Sequence, residues 1–240
     1  MVVILAIWQI LSVSGLLPAY MLPSPAAVCR ALITDLPTIL FHARFTLLEA
    51  IYGLLLGIVL AFLSATLMER FPVLDQALYP IMIITQTIPT IALAPILVLW
   101  LGFGMAPKIT LVVITTFFPI TIGLLDGYKS VDIDAVHLLQ AMGANRVQIF
   151  WHVKFPSALP HFFSGLKISA SYAVVGALVS EWLGGFNGLG VYMTRVKKAY
   201  AFDKMFAVII FIVIISLLLM LAVNLLRRAA MPWLRTKHGE

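Results

Sequence analysis

Apolar residues in this chain come in long blocks, and its prolines, glycines and charges gather mostly between them. A helix crossing a lipid bilayer needs about 20 mostly apolar residues. On that measure six spans are predicted, at about residues 2–17, 39–68, 77–101, 109–125, 162–183 and 205–226, with five as the alternative if the first block lies on the membrane surface. Punctuation comes from Pro18, from Glu69-Arg70-Phe71-Pro72, from Gly102, Gly104 and Pro107, from Gly184-Gly185 and from Arg227-Arg228. After the first block, Ser24-Pro25 reads as an N-cap with proline at the first helical position, opening a short surface helix through Leu36. No Lys or Arg precedes the first block, and Pro23 and Pro25 stand where a cleavage segment would lie. The block is therefore expected to be a span and not a secretory signal.

Composition turns these blocks into a class. Of 240 residues, 62% are hydrophobic and 11% charged, with mean hydropathy +1.06. Soluble domains are roughly 45–50% apolar and about 25% charged. A soluble chain of this size has too little interior for so much apolar surface, so the expected fold is an all-α polytopic membrane bundle, one domain over residues 1–240. The net charge of +6 sits between and after the blocks, as topology and headgroup charge rather than a nucleic-acid footprint. If both termini are cytoplasmic, nine of the 16 Lys and Arg face that side and seven the other, a slight preference for N-in and C-in. Cys29 is the single cysteine, so neither an internal disulfide nor a cysteine metal cluster is expected.

Small residues at helical spacing let helices approach closely in lipid. The second block carries Gly53 and Gly57 in a GxxxG, and the fifth carries Gly165, Ser169, Ala173 and Gly176. Both stripes read first as packing seams. The third block holds Pro80, Pro89 and Pro95, and Gln86 and Thr90 four apart would share one face of it. A broken, partly polar helix belongs inside a bundle, so Gln86 and Thr90, with Tyr172 and Glu181 of the fifth block, are candidate lining residues of a pathway.

No catalytic constellation emerges. There is no P-loop, no G-x-S-x-G serine, and no zinc spacing among His42, His137, His152, His161 and His238, which read as loop or interface residues. Mid-membrane acids of the kind coupled carriers use are not expected: Glu49 has Arg44 near it toward the membrane edge, and Glu181 ends the fifth block.

The long polar stretch 126–161 exceeds an idle connection. Asp132 or Asp134 can cap a helix whose apolar side includes Val136, Leu139 and Met142, and Gly143 ends it. Asn145 can cap a second short helix, 146–153, which Pro156 and Pro160 stop.

Gln140-Ala141-Met142-Gly143-Ala144-Asn145-Arg146, followed by Val153-Lys154-Phe155-Pro156-Ser157-Ala158-Leu159-Pro160, resembles the cytoplasmic loop of permease subunits in binding-protein-dependent ABC importers. Gly143 and Pro156 fall at the family's separation, while His137-Leu138-Leu139 replaces its Glu-Ala-Ala. Leu22-Pro23-Ser24-Pro25, Gln86-Thr87-Ile88-Pro89 and Glu181-Trp182-Leu183-Gly184-Gly185 resemble the nitrate, sulfonate and taurine branch. Met68-Glu69-Arg70-Phe71-Pro72 and Leu125-Asp126-Gly127 are most similar to permeases for thiamine pyrimidine precursors. The resemblance implies a type I importer permease in the bacterial inner membrane, N-in and C-in, paired with a second copy. It also implies two cytoplasmic ATPase subunits that hold ATP and Mg, an extracytoplasmic substrate-binding protein, and no cofactor or enzymatic activity on this chain. Riboflavin, alkanesulfonates or taurine, and nitrate are the alternative solutes, and an ion-coupled secondary transporter is the rival class.

Overall fold

The computed structural model describes residues 2–14, 18 and 21–232. Among these, the helices are α1 (Val2–Val13), α2 (Pro25–Thr34), α3 (Leu36–Arg70), α4 (Pro72–Thr87), α5 (Thr90–Leu101), α6 (Met105–Lys129), α7 (Ile133–Ala141), α8 (Arg146–Ile149), α9 (Phe155–Gly184), α10 (Leu189–Lys198) and α11 (Phe202–Ala230), with a π turn at Phe150–Lys154 between α8 and α9.

Three helices make the core. A Cβ at Gly53 would lie 2.4 Å from Val112 Cβ, and one at Gly57 2.5 Å from Thr116 Oγ1, so α3 and α6 run parallel in near backbone contact. Gly165 meets the backbone of Pro119, Gly123 that of His161, and Gly176 the side chain of Thr115, which sets α9 antiparallel to α6. Ala173 is fully buried, and the buried Ser169 hydroxyl donates to Thr116 O at 2.9 Å. Close approach replaces side-chain bulk along these seams, the usual arrangement where lipid gives no hydrophobic drive between helices. Outward, α3 and α11 present Leu55, Leu63, Leu217, Leu221 and Leu225, all more than half exposed and suited to lipid.

Span number and boundaries differ from expectation. Four continuous helical stretches are long and apolar enough to cross a membrane: α3, α6, Arg146–Leu183 and α11. The third block instead starts at Pro72 and splits into α4 and α5, which meet at 102°. Pro89 causes the break: it has no N–H, and it forces Ile88 to an extended φ of −80° and ψ of 121°. Pro80 and Pro95 stay inside helices. Gln86 therefore lies in the last turn of α4 while Thr90 starts α5, and the shared face expected of them does not exist. In the first block α1 has 12 residues, too few to cross, and residues 15–17 lie outside the described set. The described residues thus give at most five spans rather than six.

The other correction concerns the prolines of the long loop. Pro156 and Pro160 stop nothing, because α8, the π turn and α9 form one continuous stretch of 38 residues. The Phe155 amide bonds to Phe150 O, five residues back, and this wider turn makes room for the Pro156 ring.

Candidate functional site

Candidate functional groups collect in three places. The first is a surface hairpin formed by α7 and α8. Asp132 Oδ1 accepts the Asp134 amide at 2.9 Å and starts α7. The helix ends at Gly143, φ +83°, with the Ala144 amide donating to Leu139 O at 2.9 Å. Asn145 opens α8 with a reciprocal pair: its Oδ1 accepts the Gln148 amide at 2.9 Å, and its own amide donates to Gln148 Oε1 at 2.8 Å. Gln140, Ala141, Gly143, Asn145 and Arg146 are exposed, Ala144 is half-buried, and Pro156 and Pro160 are half-buried within α9. Leu138, Met142 and Val147 project 63%, 74% and 64% exposed, an apolar display that a lone soluble surface has no use for. A groove of about 290 Å³ runs between Leu139, Met142, Gly143, Ala144, Gln148 and His152. Lys154 pairs with Glu69 at the end of α3, and Lys129 with Asp75 of α4 at 3.2 Å. Neither pair was anticipated, since the partners lie 85 and 54 residues apart and no sequence period links them.

The second place is a cavity of about 430 Å³ between α4, α6 and α9. Gln86 and Tyr172 meet there; Thr90 and Glu181 do not line it. Phe118, Pro119, Ile122 and Ile168 supply apolar wall; Asp126 and Ser164 add polar groups not picked out as lining residues from the sequence, and His161, expected in a loop or interface, adds its ring from α9. The cavity thus offers an amide, a carboxylate, an imidazole and hydroxyls beside two aromatic rings, enough to hold a small planar solute by stacking and hydrogen bonds.

The third place lies at the opposite end of the bundle from the hairpin. Glu49 and Glu181 are 2% and 1% exposed, two acids buried toward this end of the bundle. Glu49 pairs with Lys108 of α6 at 2.6 Å and not with Arg44, whose guanidinium stacks over Phe41 and Phe45. Glu181 accepts the Thr46 hydroxyl and the Gly190 amide, both at 2.6 Å. The loop between α9 and α10 is caught by its backbone: the Leu189 amide donates to Thr46 Oγ1 at 2.9 Å, and the Gly188 amide to His42 Nδ1 at 3.1 Å. His42, expected in a loop or interface, is instead buried in α3 and stacked 5.2 Å from Tyr192. Just outside the span helices, Tyr192 donates to Asp35 at 2.5 Å, and Lys204 lies 2.9 Å from the same carboxylate. Burial pushes the Asp35 pKa up, but the bonds from Tyr192 and Lys204 outweigh it and hold the carboxyl below its ordinary value. Burial and then Asp35 itself push the Tyr192 phenol above its ordinary value.

Residues 53–236 match the family described as "Binding-protein-dependent transport system inner membrane component". A Haemophilus influenzae protein named "Probable ABC transporter permease protein" is 39% identical over 92% of this chain and 91% of its own length. The formylaminopyrimidine transport permease protein ThiX of Halalkalibacterium halodurans is 39% identical over 96% of this chain and 92% of its own. The solved structure of an amino acid ABC transporter with histidines superposes with a TM-score of 0.68, covering 82% of this chain and 96% of that one at 13% identity, a likeness of fold alone.

Proposed function

Since the chain belongs to the family of binding-protein-dependent transport system inner membrane components, and is thus an integral-membrane permease of an ABC importer, we propose that its solute is a pyrimidine precursor of thiamine. The observation that carries this reading is the end-to-end likeness to the formylaminopyrimidine permease. The cavity chemistry agrees with it. An aminopyrimidine is flat, with ring nitrogens that accept and an amino group that donates. The Phe118 and Tyr172 rings can stack on it, while Gln86, Asp126 and His161 offer both kinds of hydrogen-bond partner.

In this reading two copies of the chain form the pathway, both termini face the cytoplasm, and two ATPase subunits that hold ATP and Mg grip the hairpin. A binding protein delivers solute at the other face. The exposed Leu138, Met142 and Val147 give the ATPase an apolar surface. Asn145 and Arg146 begin the same unbroken helical stretch that carries Tyr172 to the cavity. Thirty-eight residues at about 1.5 Å each make a rod of roughly 57 Å. A stiff element with a displaceable head is what converts ATPase closure into movement at the pathway.

The test is reconstitution in liposomes with the cognate ATPase and binding protein. Formylaminopyrimidine should stimulate ATP hydrolysis and enter vesicles, whereas riboflavin, taurine and nitrate should not. Equal response to taurine or riboflavin would sink the solute assignment. Gln86→Leu should impair uptake while the complex and its stability persist. A loss of stability with uptake intact in surviving complexes would make Gln86 a tie between helices instead.

A further inference from the structure

The buried polar cluster at the end of the bundle remote from the hairpin has one more carboxylate than it has cations. Among the described residues, the ammonium of Lys108 of α6 bonds Glu49 of α3, and its charge and that of Glu49 both reach Glu181 of α9. Lys108 Nζ bonds to Glu49 Oε1 and lies 3.5 Å from Asn187 O. Both oxygens of Glu181 accept donors, from Thr46 and Gly190. Glu49 Oε2 is buried with no hydrogen-bond partner. The other titratable or charged groups against the cluster are His42 of α3, and Tyr192 and Arg195 of α10. The Arg195 charge reaches His42, and Arg195 is itself exposed.

Two ionised acids against one ammonium would leave a net charge of −1 in a nearly dry site. That costs several kcal/mol unless it is neutralised or well solvated, and among the described residues no donor solvates the buried Oε2 of Glu49. Adjacent carboxylates that cannot both ionise resolve the conflict by holding one proton as a pair. We propose that Glu49 and Glu181 bind a single proton between them at neutral pH, and that this proton keeps the 185–190 loop clasped on the bundle. The loop depends on the carboxylate because its backbone rests there: a Cβ at Gly188 would fall 2.1 Å from Glu181 Cδ, and the Gly190 amide donates to Oε2. Loss of the proton sets two negative charges against each other. What gives way is the contact between α3 and the loop that Glu181 carries.

The full chain in lipid nanodiscs, with carbon-13 in its glutamates, tests this by infrared titration alongside hydrogen exchange. The wild type should show one protonated glutamate per chain at neutral pH. That signal should vanish as pH rises, and exchange at Gly188, Leu189 and Gly190 should accelerate with the same midpoint beyond the intrinsic base-catalysed increase. Glu49→Gln should abolish the protonated-glutamate signal and keep the loop protected across the titration. Glu181→Gln should abolish the signal too, since the remaining acid then pairs with Lys108, so either variant that assembles is sufficient. A Glu49→Gln or Glu181→Gln spectrum with the signal retained would overturn the shared proton. Wild-type loop exchange that follows only the intrinsic pH dependence would overturn the clasp.

Discussion

The two ends of the α6–α9 pair close their connections by opposite means. At one end the α7–α8 hairpin is tied back by Lys129–Asp75 and Lys154–Glu69, ion pairs that remain partly exposed, and it turns Leu138, Met142 and Val147 outward. At the other end the loop into α10 is held by buried side chains of α3 and α9 that bond its amides one by one. Surface pairs contribute little, about 0–1 kcal/mol each, whereas removing one partner of a buried pair costs about 3–5 kcal/mol. The hairpin end can therefore be displaced cheaply and leaves apolar surface for another protein to cover. The clasp end bonds the loop amides with its own buried side chains, and any movement there must first break those bonds.

The sharpest way to break this contrast is Lys108→Met. It strands the negative charge of the buried Glu49–Glu181 pair, and thermal unfolding of the detergent-solubilised chain should show a loss of about 3–5 kcal/mol. An unchanged melting temperature would mean that the cluster is solvated and the two ends are alike. Next comes the seam that joins them. Gly57→Leu forces a side chain into Thr116, whose Oγ1 a Cβ would already meet at 2.5 Å. Overpacking of this kind costs about 1–3 kcal/mol, so the yield of assembled protein should fall. Normal yield would place that face of α3 against open space.

Gly143→Val probes the hairpin end alone. Nothing lies within 4 Å of a Cβ there, so the penalty is the φ of +83° by itself, about 1–2 kcal/mol. Global melting should barely move while ATP hydrolysis uncouples from uptake in the reconstituted complex; coupled transport at the wild-type ratio would break the link between turn and ATPase. The smallest effect belongs to Asp35→Asn, about 1 kcal/mol for the lost Tyr192 bond. The sign follows from the direction of each pKa. Asp35, held below its ordinary value, lends stability that is present above the unfolded carboxylate pKa and disappears as pH falls through the lowered one. Tyr192, raised, lends stability that is complete below the unfolded phenol pKa and disappears as pH rises through the raised one. Melting temperatures across pH should lose the acid limb in Asp35→Asn; an unaltered limb would assign it to other carboxylates.

What could be read from the sequence was local. The Ser24 cap accepting the Ala27 amide, the Asp132 cap and the Asn145–Gln148 box each join residues two or three apart, so residue type and spacing suffice to find them. Pro156 misled for a related reason. A proline states what it removes, but whether the helix ends depends on whether the preceding turn can widen, and the π turn at Phe150–Lys154 does. The Pro89 bend was signalled, its 102° was not, because that angle is set by where α5 packs Ala94 and Leu97 on Leu111 and Val179. Thr46 and Glu181 stand 135 residues apart, and Lys108 and Glu49 stand 59 apart. Only the register of α3, α6 and α9 brings them together, and that register is written in close glycine contacts that composition does not resolve.

The π turn before α9 also has an arithmetic consequence. In a regular helix each residue advances the azimuth by about 100°, and a π turn is one residue of surplus inserted into that count. Everything from Phe155 onward, Tyr172 included, is therefore indexed about 100° away from where an uninterrupted helix begun at Asn145 would aim it. Deleting a single residue within 150–154 would swivel the whole cavity-lining face relative to the hairpin without altering any residue that lines it. Phe150–Lys154 thus works as an indexing gear between head and shaft, where a change of length becomes a change of direction.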